Sequence, residues 1–283
     1  MRSLAVATLA VLACGPRSGG PASILVKPTA APGKLPHGPP LVTPGERMTY
    51  RVALQGFELA TFTMTVGNVD ELHGRKVIPI EGHAKTVGLA SHVAQVDDHF
   101  TSWIDLETGR SVKFQADEVT PKTKRVEHSV ADLHGRTGNT ISITFHVDSE
   151  PSSVEQQTVT LPEIFDFNSF VVALRAWEGP EGTKATVESL RSRYLWSITA
   201  SIGARDKLAT ELGEFPVLRF DARTVKLTRA GGRYPDNAER EFSIYVSDDG
   251  GRVPLLITAK TDYGDVKLTI VDYQPGTGQR IRP

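Results

Sequence analysis

The stretch EFSIYVSDDGGRVPLLITAKTDYGDVKLTIVDY, residues 241–273, decides the fold. Apolar and polar residues alternate from 242 to 247, which is the period-two pattern of a strand with one buried face. Aspartate and glycine at 248–251, and again at 262–265, supply the backbone conformations that a hairpin turn needs. The stretch therefore predicts three antiparallel strands in a closing β-meander.

The same strand pattern runs through most of the chain before this meander. Apolar or alternating runs, separated by glycine, proline and asparagine turns, occupy 48–147 and 183–227. Strands at such regular spacing are typical of a sandwich, a barrel or a curved sheet. We expect a mostly β protein with a single large curved antiparallel sheet or an open half-barrel.

One segment, DFNSFVVALRAW at 166–177, has a helical pattern instead. Phe167, Phe170, Val171 and Leu174 follow the i, i+3, i+4, i+7 spacing of an amphipathic helix, and Asp166 occupies the N-cap position. A single helix among strands has to bury its apolar stripe against the sheet. We therefore expect this one amphipathic helix to cover the concave face or open mouth of the sheet.

The composition excludes several classes of protein. The chain has 283 residues, of which 39% are hydrophobic, and a formal net charge of -1. It lacks the basic stripe of nucleic-acid-binding proteins, so no nucleic-acid partner is expected. Because Cys14 is the only cysteine, neither an intramolecular disulfide nor a multi-cysteine metal site can form.

The N-terminus has the pattern of an export signal. Arg2 precedes a short apolar run from 4 to 13, well below the roughly 20 residues of a membrane-spanning helix. The residues VLAC at 11–14 resemble the lipobox of bacterial lipoproteins, whose signal peptide is removed before a cysteine that becomes lipidated. We expect a signal peptide at 1–13 and lipidation at Cys14; the alternative is an ordinary secretory signal cleaved near Ala13.

The segment that follows is rich in proline, glycine, alanine and serine. It has no hydrophobic periodicity, so residues 14–44 are expected to form a disordered tether. The antiparallel β domain is placed at 45–275 and a flexible tail at 276–283. Gly15 is not the aspartate associated with inner-membrane retention in enteric bacteria, which favours an outer-membrane lipoprotein facing the periplasm; a soluble periplasmic protein is the alternative.

No catalytic motif stands out. Ser102, Ser169 and Ser201 lack the G-x-S-x-G context of an activated nucleophile. The paired carboxylates lie in predicted turns, which does not support glycosidase chemistry. We therefore expect no enzyme activity and no cofactor.

Asp97, Asp98 and His99 form the densest group of possible metal ligands. Adjacent residues on a strand point to opposite faces, so Asp97 and His99 can converge whereas Asp98 cannot join them. Two ligands do not define a metal site, and the aspartates at 248–249, 262 and 265 are explained by hairpin turns. No bound metal is predicted.

The apolar faces of the strands and of the helix offer candidate ligand-binding residues. A curved sheet covered by a helix makes a concave apolar pocket suited to an acyl chain. The candidates are Phe62, Met64, Trp103, Phe167, Phe170, Leu174, Trp196 and Ile198. The alternative is that the same side chains form an ordinary filled core.

Several short motifs follow one another in a characteristic order. They are Gly45-Glu46-Arg47 with Tyr50, Asp98 with Phe100 and Ile104-Asp105, the helix at 166–175, Gly213-Glu214-Phe215, and Ser247-Asp248-Asp249 with Arg252 and Pro254. Through these motifs the segment 44–273 resembles the bacterial envelope family known as domain of unknown function 3108. The resemblance implies an exported Gram-negative protein whose curved antiparallel sheet is similar to lipoprotein-carrier and outer-membrane lipoprotein-receptor architectures, and it implies no catalytic residues.

Two functional hypotheses follow from the sequence. In the first, the protein is a cell-envelope lipoprotein whose β domain binds or carries a hydrophobic envelope component: a lipid, a lipid-linked molecule or an acylated protein. In the second, it is a non-catalytic structural or interaction protein that docks an envelope partner through its sheet edges. Both place the chain at a membrane through its N-terminal lipid anchor.

Overall fold

The structure is a computed structural model of the chain. It describes residues 33–88, 90–93, 95–120, 123–235, 238–261 and 264–282. The predicted signal peptide at 1–13, Cys14, the predicted tether up to residue 32 and the turn residues 262–263 lie outside these described residues.

The described residues form sixteen strands and two helices. The strands are β1 Arg47–Leu54, β2 Phe57–Val66, β3 Asp70–Leu72, β4 Arg75–Thr86, β5 Asp97–Asp105, β6 Ser111–Val119, β7 Val126–Thr137, β8 Thr140–Val147, β9 Ser153–Thr158, β10 Ile164–Asp166, β11 Lys184–Arg191, β12 Tyr194–Thr210, β13 Gly213–Lys226, β14 Arg240–Ser247, β15 Pro254–Thr261 and β16 Gly264–Gln274. The helices are the one-turn α1, Ala90–Val93, and the longer α2, Phe167–Arg175. Neither helix has the length and hydrophobicity that crossing a membrane requires.

All the strands belong to one large sheet, as predicted. Strands β10 to β16 lie side by side in chain order, β16 pairs with β1, and the sheet continues through β2 and β4 to β9, with β3 paired to β4 at one side. Neighbouring strands are antiparallel except β10 and β11, which are parallel. Strands β9 and β10 stand at the two ends of this order, so the sheet is not closed into a barrel.

The C-terminal meander is confirmed as β14, β15 and β16, and its first turn uses the predicted aspartate. Asp249 Oδ1 accepts hydrogen bonds from the amides of Gly251 and Arg252 at 2.8 and 3.1 Å. Asp105 has the same role between β5 and β6, where its Oδ1 accepts from the amide of Thr108 at 2.8 Å. The carboxylates of Asp249 and Asp105 are thus hydrogen-bonded to the backbone amides of their own turns.

Helix α2 begins directly after its predicted N-cap, Asp166. The Asp166 carboxylate accepts from the Ser169 amide and the Ser169 hydroxyl accepts from the Asp166 amide, each at 2.9 Å, which makes a reciprocal capping box. Eight of the nine helical residues are buried. The helix therefore lies inside the curved sheet, with its polar side buried along with its apolar stripe.

The interior contains two hydrophobic cores. The larger one surrounds α2 and joins Phe170 and Leu174 to side chains from β1, β2, β4 and β12 to β16. The smaller one lies where the two ends of the sheet approach each other. Its buried members are Phe114, Ala116, Ala131, Leu133, Ile141, Ile143, Val159, Ile164, Leu190, Leu195 and Leu227.

Residues 33–44 are packed against the β domain, although the sequence predicts a disordered tether up to 44. Leu35 and Val42 are buried in the larger core. The Gly38 amide donates to the Thr108 carbonyl at 3.1 Å, and Arg110 Nη1 donates to the Pro36 carbonyl at 2.9 Å. A few apolar side chains are enough to pack this proline-rich segment against the β domain. The average composition of the segment does not reveal them.

The predicted flexible tail at 276–283 also lies against the domain as far as residue 282. The Gly278 amide donates to the Pro44 carbonyl at 3.1 Å and the Ile281 amide to the Val42 carbonyl at 3.0 Å. Ile281 packs against the larger core. The two terminal segments therefore support each other, which neither sequence pattern shows alone.

The strands differ from the sequence prediction in three respects. The pattern at 92–104 predicts one strand, whereas residues 92–93 belong to α1 and β5 starts at Asp97. The patterns at 194–202 and 207–212 predict two strands, whereas residues 194–210 form the single 17-residue strand β12. The short strands β3, β9 and β10 are not predicted, because three to six residues carry too little periodicity.

Candidate ligand-binding cavity

A cavity of about 80 Å³ lies between the start of α2 and the concave face of the sheet. Its apolar walls are formed by Phe62, Ala84, Phe100, Phe114, Phe167, Trp196, Ile198, Phe242, Ile257 and Leu268. Asn168, Ser189, Arg191 and Thr224 supply the polar part of the lining. Phe100, Phe167, Arg191 and Phe242 are only half-buried and mark the side nearest solvent.

Strand alternation and one glycine shape this cavity. Phe62 on β2 and Phe100 on β5 both have the parity that faces the interior. At Gly82 on β4, an added Cβ would lie 3.2 Å from the Phe62 ring and 3.5 Å from Asn168 Oδ1. Asn168 Nδ2 donates to the Ile80 carbonyl at 3.3 Å. The missing side chain at Gly82 thus lets α2 begin close to the sheet.

A polar group in the cavity wall lacks a protein partner. Thr224 is 1% exposed, and its hydroxyl has no hydrogen-bond partner among the described residues. Buried polar groups in native proteins are nearly always paired, with protein, water or ligand. The Thr224 hydroxyl is therefore positioned to bind a polar atom of a molecule inside the cavity.

An acidic pair lies near the Arg191 guanidinium. Asp98 is completely buried; its Oδ1 accepts from the Val119 amide at 2.7 Å, and its Oδ2 has no partner among the described residues. Burial raises the pKa of Asp98 to about 7, with Glu118 adding to the rise and Arg191 opposing it. Burial also raises the pKa of Glu118, again opposed by Arg191. Arg191 therefore lies in the cavity lining and also favours the charged forms of Asp98 and Glu118.

The residues predicted from sequence to contact a ligand lie in three different places in the structure. Phe62, Phe167, Trp196 and Ile198 line the cavity. Met64, Phe170 and Leu174 belong to the larger core and not to the cavity wall. Trp103 lies on the other face of β5, where the Lys113 ammonium is 4.6 Å from its ring centroid.

Several lining residues are absent from the sequence prediction. Phe100 and Phe114 have the inward parity of their strands, so a signal for them exists in the alternation. Arg191 and Thr224 have no such signal, because an isolated polar residue at an inward position looks like an interruption of the apolar face. Only the packed interior shows that both reach the cavity.

A buried ion pair holds the end of α2 on the opposite side of the interior. Arg175 donates from both terminal nitrogens to the Glu46 carboxylate, at 2.9 and 2.8 Å, and donates to the Gly251 carbonyl at 2.9 Å. Tyr273 donates its hydroxyl proton to the same carboxylate at 3.1 Å. These contacts tie the C-terminal end of α2 to the residue that precedes β1 and to the turn between β14 and β15.

The start of α2 is held by a second buried carboxylate. Asp166 accepts hydrogen bonds from the hydroxyls of Ser102 on β5 and Ser111 on β6. Burial raises the pKa of Asp166, and the two serine hydrogen bonds act in the opposite direction. The helix is thus anchored to the sheet at both ends, which keeps the cavity wall in place.

A family model described as "Protein of unknown function (DUF3108)" matches residues 48–271. The chain belongs to this family. Glu46 and Arg175, which are among the residues that carry the family resemblance in the sequence, form the buried pair that holds α2. No curated protein matches the chain.

Three solved structures are similar over most of the chain. A β-barrel-like protein of domain of unknown function DUF1849 from Brucella abortus has a TM-score of 0.53 at 8% identity, covering 84% of this chain and 99% of its own. A candidate lipoprotein from Parabacteroides distasonis has a TM-score of 0.38 at 7% identity, covering 83% and 99%. A candidate exported protein with a YmcC-like fold from Bacteroides fragilis has a TM-score of 0.35 at 6% identity, covering 84% and 98%. The first likeness supports the β-barrel-like fold.

Proposed function

We propose that the protein is a non-catalytic cell-envelope lipoprotein whose β domain binds the apolar part of a hydrophobic envelope component. The observation that carries the proposal is the apolar cavity beside α2, with Thr224 and Arg191 in its wall. Such a combination of a concave apolar surface and few polar groups is typical of small-molecule sites. The ligand class is an amphiphile: a lipid, a lipid-linked molecule or the acyl chain of an acylated protein.

The volume of the cavity limits what it holds in this conformation. At about 80 Å³ it is smaller than the roughly 150 Å³ of an engineered protein cavity that binds benzene. A chain end fits, whereas a long acyl chain requires the half-buried Phe100, Phe167 and Phe242 to move aside.

The N-terminal sequence supports the envelope location. In this proposal a signal peptide at 1–13 and lipidation at Cys14 anchor the domain to a membrane, and Gly15 favours the outer membrane, with the domain facing the periplasm. Nineteen residue steps separate Cys14 from Gly33, the first described residue, and a chain of that length reaches at most about 65 Å. Such a link lets the domain meet a membrane-borne ligand while remaining anchored.

The alternative function, docking through sheet edges, receives less support from the structure. Strand β9 is tied to neighbouring elements by its side chains: Arg193 Nη1 pairs with Glu155 at 3.0 Å, and Gln157 Nε2 donates to the Thr228 carbonyl at 2.9 Å. All three residues of β10 are buried. Of the two end strands, β10 is therefore closed to strand addition, whereas β9 is held only towards its C-terminal end and leaves Ser153, Val154 and Gln156 exposed.

Titration with a fluorescent long-chain fatty acid, followed by native mass spectrometry, tests the proposal. The full chain with Cys14→Ala avoids lipidation and detergent. We expect saturable binding that falls at least tenfold in Ala84→Leu, which fills the cavity, and that is unchanged in Thr61→Leu, which places the same leucine side chain on the outer face of β2. Equal binding by both variants, or no binding by the parent, contradicts a ligand in this cavity.

The anchoring part is tested separately. We expect the parent chain, which carries Cys14, to incorporate palmitate and to fractionate with the outer membrane. We expect the Cys14→Ala variant to lose both properties. A variant that remains labelled and membrane-bound contradicts lipidation at Cys14.

A further inference from the structure

Histidines are concentrated in one row on the outer face of the sheet. His83, His99, Asp117, His128 and His146 are direct cross-strand neighbours on β4, β5, β6, β7 and β8. The rings of His83 and His99 stack with centroids 4.1 Å apart, and those of His128 and His146 with centroids 4.6 Å apart. This row points away from the cavity, because the alternate residues of the same strands face the interior.

At one end of the row, a carboxylate joins the stacked pair. Asp97 Oδ1 lies 2.6 Å from His83 Nε2 and 3.4 Å from His99 Nε2. Of the residues that the structure describes, these three are the group of His, Cys, Asp or Glu whose donor atoms all lie within 4.8 Å of one another. Lys85 Nζ pairs with the other oxygen, Asp97 Oδ2, at 3.0 Å.

We propose that His83, Asp97 and His99 form a surface binding site for a divalent transition-metal ion such as Zn²⁺. Two imidazole nitrogens with one carboxylate oxygen are a ligand set that suits zinc and similar ions, with solvent completing the coordination. The site is independent of the ligand-binding cavity, so the two proposals stand or fall separately.

Metal binding requires the two imidazole rings to turn out of their near-parallel stack, because an ion binds in the plane of each ring. Two nitrogens bound at about 2.1 Å to one tetrahedral ion are about 3.4 Å apart, and the present spacing of donor atoms is at most 4.8 Å. The side chains of His83 and Asp97 are 39% and 35% exposed, and that of His99 is 57% exposed, so they have room to turn. The Lys85 ammonium pairs with Asp97 Oδ2, so Oδ1 is the Asp97 oxygen that is left to bind the metal ion. A contact of this kind, made from outside the first coordination sphere, orients a metal-binding carboxylate.

The other end of the row is a matched control. His128 Nδ1 lies 2.7 Å from Asp117 Oδ1, and His146 stacks on His128. This trio has the same residue types on the same face, yet it is not among the described groups whose donor atoms converge. A general affinity of surface histidines for metal predicts equal binding at both ends, whereas a defined site predicts binding at one end.

Isothermal titration calorimetry with ZnCl₂ tests the site in the full chain carrying Cys14→Ala, which removes the thiol. We expect one saturable high-affinity site whose affinity falls at least tenfold in His99→Gln and in Asp97→Asn, and less than twofold in His146→Gln. Circular dichroism should show all variants folded, since the exchanged side chains are on the surface. With Co²⁺ we expect visible absorption bands of a bound ion in the parent that are lost in His99→Gln.

Three results overturn the proposal. They are the absence of saturable zinc binding in the parent, unchanged binding in both His99→Gln and Asp97→Asn, and an equal loss in His146→Gln. Any of them means that the row is a set of stacked surface histidines and ion pairs without a metal site.

Discussion

Replacing the buried acid Asp98 with asparagine should change how stability depends on pH. Burial raises the pKa of Asp98 from 3.8 to about 7 in the folded protein, whereas the unfolded chain has the ordinary value near 3.9. Between these values the folded state holds a proton that the unfolded state has released. The free energy of unfolding therefore decreases as pH rises from about 4 to about 7, and the destabilisation is complete above the folded pKa.

The magnitude follows from the size of the shift. A difference of about 3 pKa units at about 1.4 kcal/mol each gives a destabilisation of about 4 kcal/mol at pH 8, against about 1 kcal/mol at pH 4.5. Asp98→Asn removes the titration but keeps the oxygen that accepts from the Val119 amide. Relative to the parent, the variant should thus gain about 3 kcal/mol between pH 4.5 and pH 8, whatever constant offset the amide introduces.

Urea unfolding followed by tryptophan fluorescence measures this difference, with EDTA present to remove metal ions. Asp105→Asn is a control of opposite sign. Burial acts to raise the pKa of Asp105. The hydrogen bonds from Arg75, Thr108 and Glu107 together lower the pKa by more than burial raises it, so the pKa lies below its ordinary value. The stabilisation by Asp105 is present above the unfolded pKa and is lost as pH falls through the folded one. Parallel pH profiles for Asp98→Asn and the parent would refute the reasoning.

Two further predictions concern the interior. Glu46→Gln leaves the buried Arg175 guanidinium without its counter-charge and should lower the free energy of unfolding by about 3–5 kcal/mol in urea titrations. The control Glu214→Gln removes the exposed pair with Lys207 and should change the free energy of unfolding by less than about 1 kcal/mol. Similar losses in both variants contradict this account of the buried ion pair. Phe170→Ala should lower the free energy of unfolding by about 3–5 kcal/mol in guanidinium titrations, because the side chain is completely buried beside the sheet, and a loss below about 1 kcal/mol indicates a loosely packed core.

Local patterns predicted the secondary structure well, because their causes are local. The apolar spacing at 167–174 and the cap at Asp166 define α2 within a few residues of chain. The meander follows in the same way from alternation and turn residues. Short strands such as β10 were missed, since their pairing with a distant strand and not their own sequence makes them regular.

The candidate sites were less predictable because they depend on register between strands. The parity of Asp97 and His99 was predictable from their separation by two residues. His83 joins them only because β4 pairs with β5 in the register that sets His83 opposite His99. A shift by one residue would turn every side chain of a strand to the other face, and no local pattern specifies this pairing.

The sequence by itself determined the strand periodicity, the capped helix and the pattern of an export signal. These properties depend on side chains that are close in the chain. Only the tertiary structure decided that α2 lies inside the sheet, that Glu46 meets Arg175 across 129 positions, and that a cavity remains beside Thr224. Such features arise from the packing of distant segments, where the volumes and charges of residues far apart in the chain must match at the same point in space.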